Sequence, residues 1–235
     1  MMKLLKRKEF KQKFWGKAYD DYLYKGLTGL FLKINHKIIN SFSKEKEFKV
    51  IMEFGGAGKP HWNFMSKSLI KNVEKYILVD DKMYFKRIKI PKELSKKIIL
   101  IDYRNQKKIN NFRHKVDRII ASHVLEHISS PEEAVLKWVN LLKLNGSLCI
   151  ALPCDPGIIW RTGQLLSMRK ACKLYKMNSN EKDLWQSREH RNSVQNLYHI
   201  FNFYFKKRKE FWFPFIIPII NINLFYIVEV NKNDI

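Results

Sequence analysis

The sequence predicts an α/β domain built around a largely parallel β-sheet. Short apolar runs of strand length alternate with amphipathic stretches along most of the 235 residues, and this alternation is typical of βαβ units. No internal repeats or low-complexity linkers separate one part of the chain from another. The length suits a single domain with a full hydrophobic core. We therefore expect one domain.

Five apolar runs are the candidate parallel strands. They cover residues 49–54, 76–79, 98–102, 118–122 and 147–152. Between the first two runs, apolar side chains recur at helical spacing, which predicts a helix. The residues that set this spacing are Trp62, Met65, Leu69 and Val73.

The strongest helix signal follows the fourth strand. Ser130 is a candidate N-cap, Pro131 occupies the first turn, and Glu133 completes a capping box. The pair Asn145-Gly146 is typical of a helix end. The apolar face expected to pack on the sheet consists of Ala134, Val135, Trp138, Leu141 and Leu142.

The stretch from Phe211 to Val228 has almost the length of a membrane span. Pro214 and Pro218 interrupt it, and Asn221 and Asn223 add polar groups. Its two ends are rich in aromatic and β-branched residues, which favour strands. We predict two strands joined by a proline-containing loop.

The chain is strongly basic, with 45 Lys and Arg against 22 Asp and Glu. The excess is concentrated in the start, "MMKLLKRKEFKQKFWGK". This pattern indicates a polyanionic partner such as nucleic acid, an acidic lipid surface or a phosphorylated substrate. A solvated surface on a lysine-rich chain explains it equally well.

The cysteines and the N-terminal residues both indicate the subcellular compartment of the protein. Cys149, Cys154 and Cys172 form no CxxC pair and are odd in number, so neither a disulfide framework nor a metal cluster is predicted. No uninterrupted apolar run follows the basic start, as a signal peptide requires. We expect a cytoplasmic protein, with peripheral membrane contact as an open alternative.

A glycine-rich turn follows the first strand, in "VIMEFGGAGKPH". A nucleoside-triphosphate loop needs a Ser or Thr after Gly58-Lys59, where Pro60 stands. A dinucleotide turn needs a third glycine, where His61 stands. An acidic residue beside the turn, Glu53, also suits a phosphate poorly.

A nucleoside ligand without phosphate, carrying an ammonium and a sulfonium, fits the turn better. The glycines let the backbone approach the ligand closely, and Glu53 supplies a negative end for its cationic part. A carboxylate at the tip of the second strand could accept both ribose hydroxyls. Asp80 stands at that position.

Four ordered segments resemble the class I S-adenosylmethionine-dependent methyltransferases, in their small-molecule, type 11-like branch. They are "MEFGGAGKPH", "YILVDD", "LIDYRNQ" and "RIIASHVLEHISSPEEAVLKWVNLLKLNGSLCIALP", within residues 49–153. The resemblance implies S-adenosylmethionine (SAM) as cofactor. It also implies a Rossmann-like, doubly wound, seven-stranded sheet with helices on both faces and a C-terminal antiparallel hairpin.

The same resemblance implies a role for individual residues. Glu53 and Gly55 would lie at the methionine part of the cofactor, Asp80 at the ribose and Asp102 at the adenine amino group. The other implied cofactor contacts are Gly56, Gly58, Ser122 and His123. It further implies four parts of the domain: a helical cap (1–48), the cofactor core (49–153), acceptor-side helices (154–205) and the hairpin (206–235).

The acceptor side contains three candidates for a general base, and no metal site is predicted. His127 follows "VLE", while Glu189 and His190 lie in "SREHRNS". His127 has an alternative role as a structural hydrogen-bonding partner. For Glu189 and His190, the alternative is that "SREHRNS" only marks the start of a helix. Cys154 in "LPCDPG" is a weaker candidate, as a covalent nucleophile.

These observations leave two classes of function open. The first is methyl transfer from SAM to a hydroxyl or amine of a small molecule or an envelope-sugar precursor. The second is a non-catalytic module that binds RNA or an anionic membrane through its basic face. Methylation of nucleic acid at an exocyclic amine is disfavoured, because the resemblance aligns "ASHV" with the position where such enzymes carry an Asn/Asp-Pro-Pro-aromatic loop. The basic start, with Phe10, Phe14 and Trp15 between its lysines, is predicted to be a lid over the cofactor cleft, and docking on an anionic membrane or a polyphosphate-bearing acceptor is the alternative.

Overall fold

A seven-stranded sheet forms the centre of the protein. The computed structural model describes residues 25–42, 47–56, 58–175 and 178–235. The strands are β1 (Val50–Phe54), β2 (Lys75–Asp80), β3 (Ile98–Asp102), β4 (Val116–Ser122), β5 (Leu142–Pro153), β6 (Lys209–Phe213) and β7 (Phe225–Asn231). Their order across the sheet is β3-β2-β1-β4-β5-β7-β6. Strands β1 to β5 are parallel, and β7 is antiparallel to β5 and β6. The predicted fold class is confirmed.

Helices cover both faces of the sheet. They are α1 (Gly26–Ser41), α2 (Lys67–Asn72), α3 (Lys82–Phe85), α4 (Gln106–Asn110), α5 (Pro131–Leu141), α6 (Ile158–Tyr175), α7 (Ser179–Glu189) and α8 (Val194–Tyr204). Short 3-10 helices lie at His61–Phe64, Lys92–Leu94, Leu125–His127, Ile220–Ile222 and Lys232–Asp234.

The hydrophobic core has two layers because the parallel strands are buried on both faces. In one layer, Trp138 of α5 and Phe201 of α8 pack against side chains of the sheet. In the other, Ile39 of α1 packs with Trp62 and Tyr76. The predicted apolar face of α5 therefore does contact the sheet, and Trp138 stacks on Phe54 with ring centroids 4.6 Å apart.

Three local predictions differ from the structure. The helix expected from Trp62 to Val73 is divided into a 3-10 helix and α2, because the chain is extended at Met65 and Ser66 between them. Ser130 occupies the N-cap position of α5, but its side chain makes no capping hydrogen bond. The expected capping box with Glu133 is therefore wrong.

The pair Asn145-Gly146 lies inside β5 and does not close the preceding helix. Helix α5 ends at Leu141, and β5 begins at once because Leu142 pairs with Val116. The register shifts between Val116 and Arg118. At this irregularity the backbone of Gly146 comes so close to Val116 that a Cβ would lie 2.9 Å from its carbonyl oxygen.

The C-terminal segment forms the two predicted antiparallel strands, β6 and β7. Asn223 holds the loop between them: its Nδ2 donates to the carbonyls of Ile217 and Ile219, and its Oδ1 accepts from the Phe215 amide. Within the described ranges, no helix is both long and apolar enough to cross a membrane. The basic start, including Phe10, Phe14 and Trp15, lies outside the described residues.

Candidate active site

A cavity of about 1450 Å³ opens where the parallel strands end. Phe54 of β1, Asp80 of β2, Ser122 of β4 and Pro153 of β5 all line it. Helices α1 and α6 also contribute lining side chains, among them Phe31 and Trp160. Ligands of open α/β sheets bind at this edge. The cavity is therefore the candidate active site.

The turn after β1 can be built only with glycine at two positions. Gly55 and Gly56 have φ angles of 69° and 113°, which disfavour other residues. A Cβ on Gly55 would lie 2.4 Å from Cγ2 of Val124, and one on Gly56 would lie 2.2 Å from Oε1 of Glu53. Both glycines and Gly58 line the cavity, so a ligand there can approach the backbone closely.

Glu53 is a buried carboxyl at the base of this turn. The His61 amide donates to both of its oxygens, at 2.9 and 3.0 Å, and the Tyr76 hydroxyl donates to Oε2 at 2.5 Å. Burial raises the pKa of Glu53 to about 8, although these two hydrogen bonds act in the opposite direction. A cation in the cavity would favour the ionised form.

The acidic residues after β2 and β3 differ in their surroundings. Asp80 lines the cavity, and its Oδ1 accepts from the Asp81 amide. Asp81 is buried, caps α3 and forms an ion pair with Arg104 at 2.6 Å. Asp102 is paired with the same Arg104, at 3.1 Å, and is not among the described residues that line the cavity. Tyr103, the next residue, does line it.

Ser122 ends β4, His123 follows it directly, and both line the cavity. His123 has a φ of 54°, which is uncommon for a residue with a side chain. Its Nε2 lies 2.8 Å from Nδ2 of Asn35 in α1. This contact joins the helix to the end of β4.

The three predicted catalytic candidates, His127, Glu189 and His190, come together on the cavity wall. Nδ1 of His127 donates to the backbone carbonyl of Glu189 at 2.8 Å, so Glu189 orients this imidazole through its main chain. Nδ1 of His190 lies 2.8 Å from Oδ2 of Asp155. The two rings pack edge to face with centroids 4.9 Å apart.

Glu126 completes this group and was not singled out from the sequence. It is buried, and its Oε1 lies 3.7 Å from Nδ1 of His123 and 3.8 Å from Nε2 of His127. Burial alone would raise the pKa of Glu126, but the neighbouring His123, His127 and His190 outweigh it and hold the pKa at about 2. One potential ligand atom from each of Glu126, His127 and His190 lies within 4.8 Å of the other two.

Two further residues at the site were not predicted from the sequence: Asp155, which contacts His190, and Asn35, which lines the cavity. Asp155 follows the end of β5, where polar residues of an α/β sheet meet its ligand, so its position was a usable signal. Asn35 is fully buried on α1, and no sequence pattern marks it. Its Oδ1 has no hydrogen-bond partner among the described residues.

Cys154 lacks the properties of a nucleophile. Its side chain is fully buried, and burial raises the pKa of the thiol to about 12. The thiolate is the nucleophilic form of cysteine. The structure therefore favours a packing role for Cys154.

The comparisons with known proteins identify the fold. No protein-family model matches the chain, and no curated protein matches it in sequence. Among solved structures, the plantazolicin methyltransferase BamL, in complex with a triazolic desmethylPZN analog and SAH, has a TM-score of 0.65 at 11% identity. That match covers 96% of this chain and 94% of the other.

Two more structures have the same fold. A SAM-dependent methyltransferase from Archaeoglobus fulgidus has a TM-score of 0.54 at 13% identity, over 95% of this chain and 98% of that one. The DszA carbon methyltransferase has a TM-score of 0.56 at 13% identity, over 91% of this chain. The chain spans 57% of the length of the DszA structure. The likeness shows the class I methyltransferase fold.

Proposed function

We propose that the protein is a SAM-dependent methyltransferase that transfers a methyl group to a hydroxyl or amine of a small molecule or envelope-sugar precursor. One observation carries the proposal. The glycine turn and Asp80 on one side, and His127 and His190 on the other, line one cavity at the ends of the parallel strands.

The residues around the glycine turn suit the cofactor. Gly55 and Gly56 leave room that a Cβ would fill. Glu53 is a buried carboxyl whose ionised form a positively charged amino-acid end would stabilise. We assign to Asp80, which lines the cavity, the hydrogen bonds from the ribose hydroxyls. We assign the adenine end to the neighbourhood of Asp102 and Tyr103, with Ser122 and His123 along the cofactor's edge.

The size of the cavity leaves space for a second molecule. Small-molecule sites commonly occupy about 300–1,000 Å³, and this cavity has about 1450 Å³. The BamL structure holds SAH together with a desmethylPZN analog, which supports a shared cavity for cofactor and acceptor. We assign contact with the acceptor to the side chains of α1 and α6 that line the cavity, such as Phe31 and Trp160. These helices lie in the proposed cap (1–48) and among the proposed acceptor-side helices (154–205).

We assign activation of the acceptor to His127 and His190. SAM, when bound, supplies a methyl group already activated by its sulfonium sulfur. Alignment of the acceptor by the protein can then provide up to roughly 7–11 kcal/mol of the rate enhancement. Both imidazoles are oriented by hydrogen bonds at Nδ1, which leaves the lone pair of the neutral ring on Nε2.

The proposal is tested by binding and by turnover. Calorimetry of the full chain with SAM should show one saturable site. Incubation with methyl-labelled SAM and fractionated small-molecule and glycolipid extracts should transfer label to an extract component. An absence of SAM binding would contradict the proposal, and binding without any labelled product would favour the non-catalytic module.

A further inference from the structure

We propose that Glu126, His127 and His190 bind a divalent first-row transition-metal cation at the acceptor end of the cavity. The inference rests on the proposed function and specifies how the two imidazoles act on the acceptor. Its first support is geometric, because one ligand atom from each side chain lies within 4.8 Å of the other two.

The donor set determines the class of cation. Two imidazole nitrogens and one carboxylate suit Zn²⁺, Co²⁺, Fe²⁺ or Mn²⁺. Mg²⁺ and Ca²⁺ prefer sites made only of oxygen ligands. The site is therefore expected to bind a transition metal in preference to the alkaline-earth ions.

At Nδ1, both histidines make the hydrogen bonds that are expected of metal ligands. A ligating histidine usually donates its other ring N–H to a carboxylate or a backbone carbonyl. His127 donates from Nδ1 to the Glu189 carbonyl, and Nδ1 of His190 lies 2.8 Å from the Asp155 carboxylate. In a neutral ring, each arrangement places the proton on Nδ1 and the lone pair on Nε2.

Glu126 provides independent evidence that a ligand belongs here. Only 2% of its surface is exposed, and its Oε2 has no hydrogen-bond partner among the described residues. The imidazole nitrogens of His123 and His127 lie 3.7 and 3.8 Å from Oε1, beyond ordinary hydrogen-bond distance. A buried, unpartnered carboxylate oxygen is unfavourable, and a cation would satisfy it.

The backbone holds the three ligands in place before any ion binds. The carbonyl of Glu126 accepts hydrogen bonds from the amides of Arg191 and Asn192. The side chain of Asn192 donates to the carbonyls of Leu125 and Ile128. The turn that carries Glu126 and His127 is thus fixed to the segment that carries His190.

Three protein ligands leave coordination positions open, as in catalytic metal sites. All three residues line the cavity, so an acceptor hydroxyl can complete the coordination. A bound cation lowers the pKa of a coordinated hydroxyl. The acceptor oxygen would release its proton to solvent and form the bond to the methyl carbon, while the sulfur of SAM keeps the electron pair of the broken C–S bond.

Cobalt titration of the full chain tests the site without any methyl donor. After removal of metals with EDTA, Co²⁺ is expected to bind with one equivalent and to produce visible absorption bands, and Zn²⁺ should displace it. The exposed His199 on α8 supplies a matched control, His199→Gln, which should bind as the wild type does. Glu126→Gln and His190→Gln should each bind Co²⁺ at least tenfold more weakly. Asp155→Asn, which alters only the partner of His190, should weaken binding about 10–100-fold.

Folding and SAM binding are measured on the same variants. Circular dichroism and SAM affinity close to the wild type in His190→Gln would assign its lost Co²⁺ binding to the ligand and not to misfolding. Wild-type Co²⁺ affinity in both His190→Gln and Glu126→Gln would overturn the inference. Full methyl transfer after EDTA treatment, with no Co²⁺ spectrum, would also overturn it and show that the imidazoles act as bases, while the proposed function would stand.

Discussion

The carboxylate of Glu53 lies so close to the backbone of Gly56 that a Cβ at residue 56 would come within 2.2 Å of Oε1. The carboxylate cannot easily move aside, because the His61 amide and the Tyr76 hydroxyl both bind it. The acidic residue at the end of β1 and the glycine after it therefore form one unit. In the sequence, Glu53 and Gly56 are two independent features. In the structure, the carboxylate of Glu53 occupies this position only because residue 56 has no Cβ.

Gly56→Ala is expected to lower the free energy of unfolding by about 1–3 kcal/mol, which is the usual range for a strained backbone position. It should also weaken SAM binding, because the added Cβ displaces Glu53. Chemical denaturation and calorimetry measure the two effects. Gly26→Ala is the control: Gly26 also has a positive φ, but no atom of the residues that the structure describes lies within 4 Å of its added Cβ. Equal effects on SAM affinity in the two variants would contradict the role of the Glu53 contact.

Asp80→Ala is expected to weaken SAM binding by about 1.5–3 kcal/mol, the typical loss for a hydrogen bond to a charged group. Asp80 lines the cavity, whereas the carboxylate of Asp102 is engaged by Arg104. Asp102→Ala should therefore have the smaller effect in the same calorimetric titration. A larger loss in Asp102→Ala would reverse the order and show that this carboxylate reaches the adenine.

The strands were the most predictable part of the fold. The third strand was predicted at residues 98–102, and β3 has these bounds. Its compact apolar run between polar residues was sufficient for this prediction, although β3 is an edge strand in which only Ile101 is buried. Strand β5 begins before the predicted residue 147. Its first part pairs across a register shift, and hydrophobic patterning carries no information about such an irregularity.

The acceptor side was less predictable because its geometry depends on contacts between distant segments. The hydrogen bond from His127 reaches the carbonyl of Glu189, 62 positions away, and Asp155 is 35 positions from His190. Neither pairing leaves a local pattern. Glu126 precedes His127 directly, yet only the fold shows that its carboxylate is buried beside the two imidazoles.

Cys154→Ser should retain methyl transfer, because a buried thiol with a pKa of about 12 carries little thiolate at neutral pH. The free energy of unfolding should fall by about 1–3 kcal/mol, since the change places a hydroxyl in an apolar site. Denaturation of this variant is compared with Cys172→Ser, at a position that is only half-buried. A covalent acceptor adduct on Cys154, seen by mass spectrometry, would contradict the prediction.

SAM binding is expected to release a proton from Glu53 at neutral pH. In the ligand-free protein, burial raises the pKa of this carboxyl to about 8, and the negative charge of Asp80 acts in the same direction. Glu53 is therefore mostly protonated at pH 6–7, and a bound cation favours its ionised form. Linkage then requires SAM affinity to rise as pH increases towards 8, by up to about tenfold per pH unit.

The same carboxyl makes the folded state lose stability over that range, because the unfolded chain, with the ordinary lower pKa, binds fewer protons there.

Calorimetry at pH 6–7, in two buffers of different ionisation enthalpy, measures the released proton directly. The amino group of SAM stays charged in this range, since free α-amino groups titrate near pH 7.7–8.0, so the signal belongs to the protein. We expect nearly one proton per SAM for the wild type and close to none for Glu53→Gln. Identical proton release in the two proteins would show that Glu53 does not face the cationic end of the cofactor.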